Sequence, residues 1–438
     1  MADLERRRNE ELARILHQLG WSPERLAREV SLALPPGLAI SSTAPYKWRD
    51  RGMVPRSPHD QTVCEVLSRT LGIAVTYEQL WGRMGGHRGA KILSPGLLTD
   101  PWTADTAQTA LREAATDAGP VRLTDLFRSA DLDQAAERLA APLPPVGGGE
   151  GALRIDPALV GDLGLSYRSK QRLERSCGGG LVLGPTRAEL AMVAKLLELG
   201  AYDERLGREL YGTASRLARL AGWAAYDLGH DAAAQRAYAA ALRAAHVSGD
   251  ARLGVGVLGA LVVLATQGTG GPGTGGRGQD AVAALGTALR THGAALSPTG
   301  RARQFGRIAR AHGRRGEAEQ AEAAAARAFA ELDGVPGTEE ARADLAGMVG
   351  EGRLALGDHR RAKALLAEAV AGLGPGRARS KALLMVRLAE THRRLGDQRE
   401  AARTAALARA LAAGMQSERL ARALRDFEVA GRPGARGA

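Results

Sequence analysis

Gly222-Trp223-Ala-Ala-Tyr226-Asp-Leu-Gly229-His-Asp-Ala-Ala-Ala234-Gln-Arg-Ala-Tyr238-Ala-Ala-Ala241-Leu242 is the stretch that decides the fold. A glycine ends one apolar run, and small residues four and three apart follow it. At helical periodicity those alanines fall on one face. The glycine lets one helix stop and a second approach it closely. The same unit, Gly-x4-Ala-x3-(Tyr, Leu or Ala)-x2-Ala, recurs down the C-terminal half. It begins at Gly229 (Ala234, Tyr238, Ala241), Gly276 (Ala281, Leu285, Ala288), Gly316 (Ala321, Ala325, Ala328), Gly357 (Ala362, Leu366, Ala369) and Gly396 (Ala401, Ala405, Ala408). Successive starts lie 47, 40, 41 and 39 residues apart. A period of this size marks a solenoid, in which one helix pair cannot bury its apolar stripe alone and stacked pairs share a core.

The unit resembles the tetratricopeptide repeat. Gly357-Asp358 and Gly396-Asp397 repeat its turn dipeptide, each followed by an alanine-bearing helix. The period exceeds the roughly 34 residues of the standard repeat, so longer helices or loops are implied. The second unit follows Gly268-Thr-Gly-Gly-Pro-Gly-Thr-Gly-Gly276, which is too glycine-rich to be helical. A generic alanine-rich helical array, matching through composition alone, is the alternative.

Composition supports helices throughout. Aromatic residues are 4% of the 438, so packing rests on Ala and Leu, the strongest helix formers. No convincing alternating strand is present. Two cysteines, Cys64 and Cys177, exclude a disulfide framework and suit no structural zinc site. Met1 to Glu11 is charged, and the longest apolar stretch, around Val255 to Ala265, falls short of the roughly 20 residues that span a bilayer. The expectation is a cytoplasmic protein with no membrane contact. Of 60 basic residues 54 are Arg, against 48 acids, for a net charge of +12. Arg, Ala, Gly and Pro share GC-rich codons, so part of this bias is genomic. Residues 360–438 hold 17 basic and 7 acidic residues and carry most of the excess.

Residues 1–86 read as five short helices. The first runs from about Leu4 to Leu19 and stops at Gly20. Ser22 caps a second that starts at Pro23. Thr43 is expected to cap a third, Pro58 to Leu71 forms a fourth burying Val63, Val66, Leu67 and Leu71, and Thr76 to Leu80 a last. The string Ser41-Ser-Thr-Ala-Pro-Tyr46-Lys-Trp48-Arg-Asp-Arg-Gly52-Met-Val-Pro55-Arg56 resembles the recognition helix and exit loop of the repressor-like helix-turn-helix family. The resemblance implies that Trp48 packs inward, Gly52 closes the helix and Pro55 leads the chain onward. It also implies that Ser41, Ser42, Thr43, Tyr46, Lys47, Arg49, Arg51 and Arg56 face double-stranded DNA. Residue chemistry agrees, since hydroxyls at a helix start can meet phosphate and Arg or Lys can read guanine. Ala27 to Trp48 spans 21 residues, about eight more than the usual tight turn needs; the extra segment is Leu32 to Ile40. Residues 1–86 hold 12 basic and 10 acidic residues, a weak footprint for DNA, so a helical protein-interaction module is the alternative. Homodimerisation would add two half-site contacts.

Residues 87–185 read as a partly helical linker region, with helices at Leu126-Phe-Arg and Leu132 to Leu139, a loop at Pro142 to Gly151, and a flexible stretch at Ser176 to Gly180. The helical repeat domain is expected over 186–430. Nine histidines are scattered without metal-binding spacing, and no convergent acid, base or nucleophile can be named. No enzyme activity, cofactor or metal is therefore expected.

The expected fold is all-α, an N-terminal helix-turn-helix bundle followed by a tetratricopeptide-like α-solenoid. The chain resembles bacterial helix-turn-helix regulators with a tetratricopeptide half, as found in high-GC, spore-forming bacteria. That resemblance implies a sequence-specific transcription regulator, dimeric, whose repeats bind a peptide, small-molecule or protein signal. Helix position offers Arg216, Arg219, Tyr226, Arg303, Arg307 and Arg387 as ligand contacts. The alternative is a scaffold that assembles protein partners without binding DNA.

Overall fold

The computed structural model describes residues 8–34, 38–56, 58–71, 75, 77–81, 101–116, 129–146, 149–150, 153–266 and 275–431. Leu4–Arg7 of the first expected helix, Leu126-Phe-Arg and the glycine run over 268–274 lie outside them. The protein is all-α, with a short N-terminal bundle followed by a solenoid of helical hairpins.

The bundle comprises α1 (Glu10–Leu19), α2 (Pro23–Ala33), α3 (Ala44–Asp50), α4 (His59–Leu71) and α5 (Tyr77–Trp81). The Asn9 side chain accepts from Leu12 N at the start of α1, and Gly20 ends it with φ +61°. Ser22 accepts from Arg25 N and Pro23 opens α2. These caps satisfy donors that the helix itself leaves unpaired. Leu12, Ile15, Leu26, Val30, Trp48, Val63, Leu67 and Leu80 form a core of their own. Cys64 sits in it, where burial pushes its thiol up to about 12.

The solenoid stacks α10 (Glu204–Asp227) on α11 (Asp231–Ser248), α12 (Ala251–Ala265) on α13 (Gly275–His292), α14 (Pro298–Arg314) on α15 (Ala318–Ala330), α16 (Glu339–Ala355) on α17 (His359–Gly372), and α18 (Ala378–Arg394) on α19 (Gln398–Ala412). A last helix, α20 (Glu418–Ala430), covers α18. All fifteen Ala, Leu and Tyr positions of the repeated unit are buried. They lie on the second helix of each hairpin, facing the first. Gly229, Gly316, Gly357 and Gly396 turn the chain with φ between +79° and +85°, a region open to glycine at little cost. Gly276 departs from the pattern, because it lies inside the first turn of α13. The glycine run before it left a chance match in frame.

The described helices between 101 and 199 pack against the repeat helices. α6 (Ala104–Ala115) packs on α9 and α11, α7 (Ser129–Leu139) on α13, and α8 (Pro157–Cys177) pairs with α9 (Gly180–Leu199) and α10. Trp102, Leu111, Leu132 and Leu139 enter the same core as Leu190, Tyr211 and Tyr238. Three short strands, β1 (Gly149–Glu150), β2 (Leu153–Arg154) and β3 (Gly200–Tyr202), form a small sheet in the order β1-β3-β2. β1 runs antiparallel to β3, with Gly149 opposite Tyr202, and β2 runs parallel to it, with Leu153 opposite Gly200. Two or three residues are too few for an alternating pattern to register in sequence.

The expected flexible stretch at Ser176 to Gly180 is instead a packed joint. Gln416 N donates to Cys177 O (2.9 Å) and Gly180 N to Gln416 O (3.0 Å). A side chain at Gly178, which has φ +93°, would meet Gln416 O at 2.6 Å. The first hairpin of the row therefore touches the last. Arg379 of α18 completes the closure, its Nη2 donating to Glu174 Oε1 of α8 (2.6 Å) and its Nη1 to Asp227 Oδ1 of α10 (3.0 Å).

Candidate functional site: a basic helix face and an arginine-lined inner face

The short α3 is held from two sides. Trp48 is buried and meets Trp81 edge-on at 6.2 Å. Asn9 N donates to Arg49 O (2.8 Å) and Asn9 Nδ2 to Leu80 O (2.6 Å), so α1, α3 and α5 share one anchor. Gly52 has φ +57°, and Met53 N donates back to Lys47 O (3.3 Å) at the helix end. Thr43 does not cap α3. Its backbone is already helical (φ −89°, ψ −10°), whereas a capping residue is extended. Ser41 Oγ instead accepts from Thr43 N (3.3 Å) and lies 3.0 Å from Thr43 Oγ1.

Ser41, Ser42, Thr43, Tyr46, Lys47, Arg51 and Arg56 are exposed, while Arg49 is half-buried. Tyr46 donates its hydroxyl to Glu24 of α2, which holds that carboxyl below its usual range. Arg49 stacks over the Tyr46 ring at 5.1 Å and makes two bonds to Asp50 (2.8 and 2.9 Å). Its charge is thereby neutralised next door. Lys47, Arg51 and Arg56 have no ion pair or hydrogen bond from their side chains among the described residues. They are the cations on this face that remain available to a partner. Thr43, Tyr46, Lys47, Asp50 and Arg51 border one shallow depression.

A second concentration of charge lies where the inner faces of α8, α10, α14, α16 and α18 converge. Arg303, Arg307, Arg310 and Arg314 recur at intervals of four, three and four along α14, on one face. Glu351 of α16 serves several of them: Arg310 Nη1 lies 2.8 Å away, Arg387 Nε of α18 3.7 Å and Arg314 Nη2 4.0 Å. Burial alone would raise the Glu351 pKa, but these three guanidinium groups outweigh it and hold it down at about 2. Arg307 reaches no carboxylate, bonding Gln304 Oε1 (3.1 Å) and Gly256 O (3.4 Å). Burial, with Arg303, Arg219 and Arg310 nearby, pushes its pKa down to about 9; it is still charged at neutral pH. Arg219 donates to the Tyr167 hydroxyl of α8 (2.9 Å). Burial and the like charges of Arg377 and Arg303 also depress Arg175.

Of the six expected ligand contacts, Arg219, Arg303, Arg307 and Arg387 belong to this face. Tyr226 lies at its edge, with Arg419 of α20 over its ring at 5.2 Å. Arg216 does not, since it points to the turn between α11 and α12, 3.9 Å from Asp250. Sequence reasoning missed Arg175, Arg310, Arg314 and Glu351. The spacing of the α14 arginines was visible; the approach of Arg175 on α8 to Arg303 was not. Among the described residues no group of histidine, cysteine or carboxylate side chains could hold a metal, and no helix is long and apolar enough to cross a membrane.

Residues 12–81 match the family described as SP15 N-terminal domain. The match begins at the first buried residue of the N-terminal core, Leu12, and ends at Trp81, which packs against that core. The SP15-like segment thus coincides with a set of helices that has its own interior, and α3 lies within it. No curated protein and no solved structure matches the chain.

Proposed function

We propose that the protein is a sequence-specific, DNA-binding transcription regulator of the cytoplasm. It acts as a homodimer, and its helical repeats receive a peptide, small-molecule or protein signal. The observation that carries this reading is the exposed trio Lys47, Arg51 and Arg56 beside the hydroxyls of Ser41, Ser42 and Thr43. Cations of this kind meet phosphates and guanine edges, and hydroxyls meet phosphate oxygens. A signal shifts such a regulator only by binding its DNA-competent and incompetent forms unequally.

A second reading, a scaffold that joins protein partners without binding DNA, draws on the Arg49–Asp50 pair and on the seven-residue length of α3. At about 1.5 Å per residue, that helix offers only two turns to a groove.

Genome-wide recovery of DNA by the purified protein separates the two. Beside it runs a Lys47→Ala/Arg51→Ala variant at the same salt. The regulator reading expects a short enriched motif that vanishes in the variant, while thermal stability stays within about 0.5 kcal/mol, as for exposed substitutions in general. Salt-sensitive retention of all DNA alike, or an unchanged motif in the variant, would overturn it.

A further inference from the structure

Arg175, Arg219 and Arg307 come from three helices, α8, α10 and α14, and Arg219 bonds the Tyr167 hydroxyl about two turns before Arg175 on α8. Arg303 lies between Arg175 and Arg307 in the chain of mutual repulsion, and Arg219 repels Arg307 directly. Among the described residues none of the three has a carboxylate within ion-pair distance; Arg219 and Arg307 make bonds only to neutral groups. Each is half-buried. Nearby carboxylates are already committed: Glu351 to Arg310, Arg314 and Arg387, and Asp344 to Arg377 and to Arg303 (3.5 Å). Drawing cations together without counter-charge costs free energy. A bound anion would offset that cost.

We propose that the inner face of the solenoid binds a small polyphosphorylated anion, held by Arg175, Arg219 and Arg307. This names the ligand class for the signal-receiving half and takes its regulatory meaning from the function proposed above; the binding itself does not depend on it.

Three features choose this class. Guanidinium groups pair with phosphate oxygens in a two-pronged geometry, and several converging ones match a ligand with several charges. A peptide backbone, by contrast, is read by side-chain amides, which donate and accept at once. The inner helices are nearly bare of them. Asn9 is the chain's one asparagine; of the two amides on α8, α10, α14, α16 and α18, Gln304 is occupied by Arg307 and Gln171 donates to the Tyr167 hydroxyl. The third feature is the closure of the row through Arg379, Glu174 and Asp227, which ties α8, the helix of Arg175, to α10 and α18.

The test is titration calorimetry of the full chain with inorganic tripolyphosphate, without DNA. Saturable binding is expected. Arg219→Gln and Arg307→Gln should each weaken it about tenfold or more, the loss of a charge-assisted bond. Arg216→Gln, paired with Asp250 outside the face, should leave it unchanged. Arg307→Gln removes a repelled charge, so the empty variant should melt no lower than the parent while losing the melting shift that tripolyphosphate produces. Arg175→Gln provides a second, independent variant.

ATP and GTP are titrated in parallel. Tighter binding than tripolyphosphate assigns a nucleotide, and equal binding a bare phosphate chain; both support the class. Absence of saturable binding would overturn the proposal. So would an unaltered affinity in Arg307→Gln, a loss in Arg216→Gln as large as the others, or tighter binding of a tetraglutamate peptide. If anion binding holds while DNA recovery shows no motif, the regulator reading fails alone. If a motif is recovered and no anion binds, the site fails alone.

Discussion

Glu351 is one carboxylate among three guanidinium groups, and its weight follows from that ratio. Its folded pKa of about 2 lies below the roughly 4.3 of an unfolded glutamate. The sign is that of a depressed acid: the stabilisation is complete above the unfolded value and is lost as pH falls through the folded one. Glu351→Gln should therefore cost about 3 kcal/mol near neutral pH, as when a buried pair loses one partner. The difference from the parent should shrink below pH 4 and vanish near pH 2. Chemical denaturation across that range measures it. A constant deficit down to pH 2 would mean that Glu351 acts through packing alone.

At the scale of elements, the helix joints divide into two kinds. A Cβ at the turn glycines Gly316, Gly357 or Gly396 meets nothing within 4 Å, so those positions ask only for a left-handed backbone. At Gly179 a Cβ would stand 2.4 Å from Ala224 O, a backbone atom that cannot swing aside. Gly179 N also donates to Asp227 Oδ2 (3.0 Å), so any shift strains the Arg379 cluster. Gly179→Ala should cost about 1–3 kcal/mol, the range for overpacking, read as a lowered denaturant midpoint. Gly357→Ala should lose about 1–2 kcal/mol from backbone strain alone, with the cluster intact.

The turn glycines were legible because a fixed backbone demand recurs at a fixed spacing, and the buried alanines because their period is that of the helix. Gly179 was not, because its reason is Ala224, a neighbour in space. Ser22 and Gly20 could be read as helix ends from local chemistry, whereas Thr43 misled, since a hydroxyl before a helix does not fix its own backbone angles. The α14 arginines showed their face in sequence. Their partners on α12 and α16 did not, because periodicity within one helix says nothing about which other helices it meets.

Across the whole molecule, the contact hardest to foresee is the one that closes the row. Arg379 reaches Glu174 across 205 residues and Asp227 across 152, separations at which no sequence pattern operates. All three side chains are nearly sealed from water, at 3%, 5% and 0% exposed. In an open solenoid each repeat contacts its neighbours only, and stability is a sum of local terms. Here the ends are coupled, and Arg379 of α18 shares the hold on α8 with the Gln416 joint. Arg379→Ala would leave buried Glu174 without its counter-charge and Asp227 with only the longer contact to Arg419 (3.9 Å), and should cost about 3–5 kcal/mol. The shape should respond as well. Solution scattering of the variant is expected to give a larger radius of gyration than the parent, together with a weaker tripolyphosphate titration, because Arg175 would leave Arg219 and Arg307. A lower melting temperature with an unchanged radius of gyration would make Arg379 a local support, and the inner face would then owe its assembly to the packing of Gly178 to Gly180 against Gln416 instead.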